Sequence, residues 1–216
     1  MNKDINTDQL FYFNIGIKMR LYLFVLITIT ASVVFIACKD QDETPSGFIK
    51  RYITNTGKTI IISETHPVGQ SLSTIRINTR DLKYNYSETF TDRDPVSDVF
   101  IADLDNNGFD EIYIITTSAG SGSYGTVLGF ASNNDKSLSM INFPDVDSTN
   151  KVFEGYMGHD SFFIENDKLV RTFPVYNKED TNQNPTGGKR KLIYGLYPGE
   201  AMWQLQIEKS EVMKSL

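Results

Sequence analysis

From about residue 58 onward the chain alternates between short apolar runs and polar, turn-forming breaks. Eleven runs stand out: KTIIIS, LSTIRINT, KYNYSETF, VSDVFIAD, EIYIITTS, YGTVLGFAS, SLSMINF, DSFFIEN, KLVRTFPVY, RKLIYGLY and WQLQIE. Each is of strand length and rich in β-branched or aromatic residues, whereas helical spacing is scarce. The breaks TNTG, DNNG, SNND, END and NPTGG carry residues that tolerate turn geometry. Many short strands so punctuated predict an all-β fold, an antiparallel β-sandwich over residues 58–210. In EIYIITTS, Ile112, Ile114 and Thr116 face one way and Tyr113, Ile115 and Thr117 the other. With both faces fairly apolar, this strand is expected to be central. No repeat of fixed period emerges, which argues against a propeller or solenoid.

The N-terminal pattern is different. Met19 and Arg20 precede an apolar segment from Leu21 to Ile36, which ends in Phe-Ile-Ala-Cys at Cys38. This is the charged, apolar and small-residue succession of a secretory signal. A sixteen-residue helix here would span roughly 24 Å, short of the roughly 30 Å needed to cross a bilayer. Cys38 is the only cysteine in the chain, so an exported form has no disulfide partner for it. The junction resembles a bacterial lipobox, which implies a lipidated Cys38 as first mature residue and a membrane partner through that anchor. Residues 1–37 are therefore expected to be a signal region removed on maturation, with Met19 as the initiator. Residues 38–57, including the acidic KDQDETPSG, are expected to form a polar tether. The expected location is the outer membrane, on its periplasmic face or at the cell surface.

Charge narrows the range of partners. The whole chain carries a formal charge of −6, and residues 38–216 carry 18 Lys+Arg against 25 Asp+Glu. Nucleic acid, which requires clustered positive charge, is not an expected partner. The mature length suits one core, and a homodimer is left open.

Two loops offer chemistry. Gly120 to Gly125, GSGSYG, has the spacing of a dinucleotide-binding turn, follows a strand, and precedes Asp145 and Asp147 by about the required interval. Such a turn must open a helix whose amides receive the phosphates. The sequence after Gly125, TVLGFASNN, reads as a strand instead. The glycines then serve a long hairpin. In ADLDNNGFDEIYI, Asp103, Asp105 and Asn107 alternate, Gly108 permits a turn and Glu111 closes the run. Alternating oxygen ligands suit calcium. The twelfth position is Ile114, which excludes an EF-hand, though a shorter loop like those of β-propeller repeats would use Glu111. The preferred expectation is a hairpin whose aspartates cap loop amides, with no metal or cofactor assigned. His66 and His159 are the only histidines, and no serine sits in a nucleophile elbow. His159 is expected to hydrogen-bond within a loop or sheet, and the protein is not read as an enzyme.

Three segments taken in order carry a family likeness: IADLDNNGFDEIYIITTSAGSGSYG, GYMGHDSFFIENDKLVRTFPVY and NPTGGKRKLIYGL. Together they resemble the periplasmic inhibitors of invertebrate-type (i-type) lysozyme, over roughly Ile60 to Leu205. The resemblance is sharpest at Ser121-Gly122-Ser123-Tyr124. It implies a β-sandwich and an inhibitory loop that enters the lysozyme cleft, where Ser121 and Tyr124 meet the catalytic carboxylates. The implied partner is an i-type lysozyme, and the implied outcome is protection of bacterial peptidoglycan. The lipid anchor and long N-terminus depart from a soluble periplasmic form. A calcium-stabilised surface lipoprotein that binds glycan or a host protein is the alternative.

Overall fold

The computed structural model describes residues 46–213. The signal region, Cys38 and the start of the tether lie outside the described residues. Among the described residues twelve strands form two sheets, β1 (Ser46–Ile53), β2 (Thr59–His66), β3 (Ser73–Arg80) and β4 (Ser87–Arg93) making the smaller in simple antiparallel order. The larger contains β5 (Val96–Ala102), β6 (Glu111–Thr117), β7 (Gly125–Ser132), β8 (Leu138–Asn142), β9 (Ser161–Glu165), β10 (Lys168–Pro174), β11 (Lys189–Pro198) and β12 (Trp203–Met213). Its spatial order is β5-β6-β7-β8-β12-β11-β10-β9. The fold is thus an all-β sandwich. All pairings are antiparallel except the short β8–β12 contact, where Ile141 and Asn142 run parallel to Trp203 and Gln204. That contact joins two antiparallel halves of the larger sheet.

Two cores explain the layering. On one face of β6, Ile112 and Ile114 pack with Ile60, Ile62, Ile75 and Ile77 of the smaller sheet and with Phe130. On its other face, Tyr113 and Ile115 pack with Leu169, Phe173, Leu192, Tyr194 and Leu205 from the far half of the larger sheet. The larger sheet therefore folds over its own core, and its outer strands β5 and β9 approach each other. Strand β6 is central, buried on both faces. Burying an isoleucine contributes about 1.5–3 kcal/mol, so the isoleucine seam is what fastens the smaller sheet.

The turns follow their sequence signals. Asn134-Asp135 and Asn166-Asp167 each place two successive residues at positive φ, as tight hairpins require. Asn106, Gly57, Gly108 and Gly188 also take positive φ.

Three sequence expectations need correction. The tether does not extend to residue 57, because Ser46–Ile53 is strand β1, paired along its length with β2. Phe48 and Tyr52 reach the isoleucine core from this strand. Ile49 and Ile53 face outward, 78% and 58% exposed, so its apolar pattern is that of an edge strand seen from the wrong side. The sheet also continues past residue 210, since β12 runs to Met213. Strand β4 begins at Ser87 and not at Lys83, and only Phe90 of its residues is buried.

Candidate functional site

The register of β6 against β7 ends at Thr117↔Gly125, which leaves Ser118 to Tyr124 as the connecting loop. Its base is closed twice: the Ser118 amide donates to the Tyr124 carbonyl at 2.9 Å, and the Tyr124 amide donates to Ser118 Oγ at 2.8 Å. Within it, the Ser123 amide donates to the Gly120 carbonyl at 3.0 Å. The chain continues into strand β7, so the phosphate-binding alternative lacks the helix it requires. Asp147 serves a local turn instead, accepting from the Thr149 amide and hydroxyl at 2.8 and 2.6 Å.

Neighbouring loops brace the tip from the side. The Gly122 carbonyl accepts from the His159 amide at 2.6 Å, and the Ser121 carbonyl accepts from Asn182 Nδ2 at 3.1 Å. Asn182 Oδ1 lies 3.1 Å from His159 Nε2, and the Asn182 carbonyl accepts from the Tyr176 hydroxyl at 3.0 Å. His159 thus bonds within a loop. These contacts hold the loop through its backbone and leave Ser121 and part of Tyr124 exposed. Ser121 is exposed and Ser123 half-buried. Tyr124 is 49% exposed, its ring meeting Tyr156 edge-on at 5.7 Å between centroids. Ser121 and Tyr124, at the two ends of the tip, therefore present surface to solvent from a fixed frame.

Outside the Ser-Gly-Ser-Tyr element, glycine is required most plainly at Gly158. Gly158 has φ +88, and a Cβ on it would collide with the Gly122 carbonyl oxygen. Gly120, by contrast, faces open space with no positive φ. Gly158→Ala is expected to cost about 1–3 kcal/mol through strain and displaced loop contacts. Gly120→Ala should stay within about 0.5 kcal/mol. Urea denaturation of the two variants measures the contrast; equal stabilities would mean that the loop yields freely.

The feature that sequence reading missed is an ion pair beneath the loop. Arg171 and Asp160 side chains are 1% and 0% exposed, with Arg171 Nε donating to Asp160 Oδ1 at 2.7 Å. Asp160 Oδ2 accepts from Arg171 Nη2 at 3.1 Å, the Tyr156 hydroxyl at 2.6 Å and the Gly125 amide at 2.8 Å. The last bond fixes the loop's exit. The guanidinium carbon lies 4.9–5.8 Å from the ring centroids of Tyr156, Phe153, Phe162, Phe143 and Phe173, an aromatic cage suited to a cation. Burial opposes the Arg171 charge, but the hydrogen bond and charge of Asp160 outweigh it and hold the guanidinium above its ordinary pKa. Burial, reinforced by the hydrogen bond to Asp160, also raises the Tyr156 phenol. Beside the cage, Tyr124, Phe143, Pro144, Asp145 and Val146 line a shallow pocket of about 360 Å³. In the sequence, GHDSFF and LVRTF show the participants only as separate runs.

The acidic loop lies at the opposite end of β6. Asp103 accepts from the Asn107 and Gly108 amides at 3.0 and 2.7 Å. Asp105 accepts from the Asn107 amide and side chain at 3.1 and 2.9 Å. Asn107 Oδ1 caps the Phe109 amide at 2.8 Å. The loop also ties the two sheets together, because Asp110 accepts from the Asn55 amide at 2.5 Å and the Gly108 carbonyl from Asn55 Nδ2 at 3.2 Å. Capping is therefore real. Glu111 is different: it is fully buried, with Oε2 accepting from the Leu104 amide at 2.8 Å. Burial pushes its carboxyl up to about 8, with the charges of Asp105, Asp103 and Asp110 adding to the rise. Comparisons of this chain with protein-family models, curated proteins and solved structures found no match.

Proposed function

We propose that this protein is a lipoprotein inhibitor of i-type lysozyme, acting by insertion of the Ser121–Tyr124 loop into the enzyme's cleft. The observation that carries this reading is the loop itself: a narrow hairpin tip, fixed through its backbone, that turns Ser121 and half of Tyr124 to solvent. A lysozyme cleft contains two carboxylates, one with a raised pKa. Neutral hydroxyls donate to such groups without the repulsion an acidic probe would meet. The Tyr124 ring adds a rigid apolar body of the size of a sugar subsite. Val146 and Met157, 37% and 40% exposed on adjoining segments, supply further apolar surface for the rim. Fixing the loop before encounter spares the ordering cost that a floppy segment would meet on binding. The role is blockade, with no covalent step.

The deciding experiment is an inhibition titration of the folded protein against i-type, chicken-type and goose-type lysozymes. Nanomolar inhibition of the i-type enzyme is expected, with weaker or no effect on the other two. Micromolar protein that leaves i-type activity intact would end this proposal.

The same reading keeps Cys38 as a membrane anchor, with removal of residues 1–37. Intact mass should reveal diacylglycerol on an N-terminal cysteine, and Cys38→Ser should release the protein from membranes. A Cys38→Ser protein that still partitions fully with membranes contradicts the anchor and leaves the loop proposal standing.

A further inference from the structure

We infer that the turn between β5 and β6 is a calcium site, with Asp103, Asp105 and Glu111 as its carboxylate ligands. The sequence alone favoured a hairpin without metal. One ligand oxygen from each of these residues lies within 4.8 Å of the others. Calcium binds oxygen at about 2.3–2.6 Å, so two oxygens on one ion are at most about 5 Å apart. The cluster therefore fits around a single ion.

The independent observation is Glu111. Its residue is 0% exposed, and Oε1 is buried without a hydrogen-bond partner among the described residues. A carboxylate in that position costs free energy unless a cation or a donor meets it. No lysine or arginine pairs with Asp103, Asp105 or Glu111 among the described residues. Amide caps explain both aspartates but not a buried glutamate whose second oxygen meets nothing. A divalent cation meets that oxygen and removes the repulsion among the three carboxylates. The donor set is all oxygen, with neither histidine nor cysteine, which selects a hard cation over zinc or copper. Asn107, a candidate ligand by spacing, is instead committed to the loop through Phe109 and Asp105.

The consequence is structural. The turn touches the β1–β2 turn through Asn55, so the ion would tighten the junction of the two sheets. Seven strand residues, roughly 20–24 Å, separate it from the Ser121–Tyr124 loop. Calcium should therefore change stability without changing lysozyme inhibition well below the melting temperature, and the two proposals can fail separately.

The test uses full-length protein stripped with chelator, titrated with calcium chloride and, in parallel, magnesium chloride by calorimetry and thermal melting. At a hundredfold excess over Kd, calcium should raise Tm by about 5–10 °C. Glu111→Gln should abolish the binding heat and the shift, while its metal-free Tm stays close to that of wild type, because the amide keeps the shape of the side chain and an oxygen for the Leu104 amide. Asp105→Asn should also abolish the response, which keeps the test alive if Glu111→Gln fails to fold. The inference is overturned by no heat at millimolar calcium, by a Tm indifferent to chelator, or by an intact response in folded Glu111→Gln. A magnesium response equal to that for calcium would overturn the assignment of the ion.

Discussion

Asp160→Ala is expected to destabilise the protein by about 3–5 kcal/mol, because it strands a buried guanidinium. At roughly 2–4 °C per kcal/mol for a domain of this size, Tm should fall by about 6–20 °C. The reason lies in the burial: both side chains are almost fully excluded from water. Aromatic faces around Arg171 lessen the penalty without replacing a counter-charge. The Tyr156 hydroxyl and Gly125 amide lose an acceptor in the same step. Arg171→Met should cost less, since Asp160 keeps those two donors. The double variant Asp160→Asn/Arg171→Met should recover part of the loss, as buried pairs replaced by neutral groups often do. Denaturant unfolding of wild type, Asp160→Asn, Arg171→Met and the double variant gives the coupling energy. A loss below about 1 kcal/mol in Asp160→Ala would mean that the pair does not hold this corner of the fold. Amide exchange at Gly125 adds a local readout, with faster exchange expected in Asp160→Ala even where the protein remains folded.

The strands were legible because their burial is two-sided or alternating, and both leave plain patterns. Ile112 to Ile115 could be assigned to two faces because β6 is enclosed between layers. The turns were legible for a related reason: Asn134-Asp135 and Asn166-Asp167 are residue pairs that accept positive φ. Strand β1 was hidden because its inward residues, Phe48 and Tyr52, are separated by Lys50, while its outward residues include two isoleucines. An edge strand reverses the usual sign of the signal. The Ser121–Tyr124 loop was visible as composition, but its bracing was not. Asn182 and His159 lie far along the chain from Ser121, and no local pattern marks a contact made across loops. The glycines of GSGSYG also misled in part. Gly120 is unconstrained and Gly122 lies under the Tyr124 ring, while Ser123 carries a positive φ of 44° and Gly158, from another segment, makes the close backbone approach. Arg171 reads as one basic residue in LVRTF, and only the three-dimensional arrangement reveals a buried charge in an aromatic cage. Glu111 was legible as the end of an acidic run, whereas its unmatched oxygen was not.

Tyr124→Ala is expected to weaken inhibition of i-type lysozyme by about 2–4 kcal/mol, roughly 30- to 1,000-fold in the inhibition constant. This expectation rests on the proposed insertion: a ring at the tip of a narrow loop becomes fully desolvated inside a cleft, and central anchors of that kind carry most of an interface's energy. The ring is already oriented in the free protein by Tyr156 and by the backbones of Gly122 and Gly158, so little ordering opposes its gain. Those same contacts mean that Tyr124→Ala should lose a modest amount of stability, about 0.5–1.5 kcal/mol for the aromatic pair. Tyr124→Phe separates the two roles, because it keeps the ring and loses only the hydroxyl. Ser121→Ala removes one hydrogen bond to a charged group, about 1.5–3 kcal/mol, and should leave Tm unchanged because the loop is held by the Ser121 carbonyl. The two effects should combine without simple additivity, since both groups address the same pair of carboxylates. Substituting exposed acidic residues elsewhere should alter mainly the salt dependence of association. Inhibition constants and melting curves for wild type, Ser121→Ala, Tyr124→Phe, Tyr124→Ala and the double alanine variant test this directly. A folded double variant that inhibits as well as wild type would falsify the loop as the inhibitory element. A large loss confined to Tyr124→Ala, with Ser121→Ala unaffected, would instead place the binding energy in the ring and remove the serine from the carboxylates.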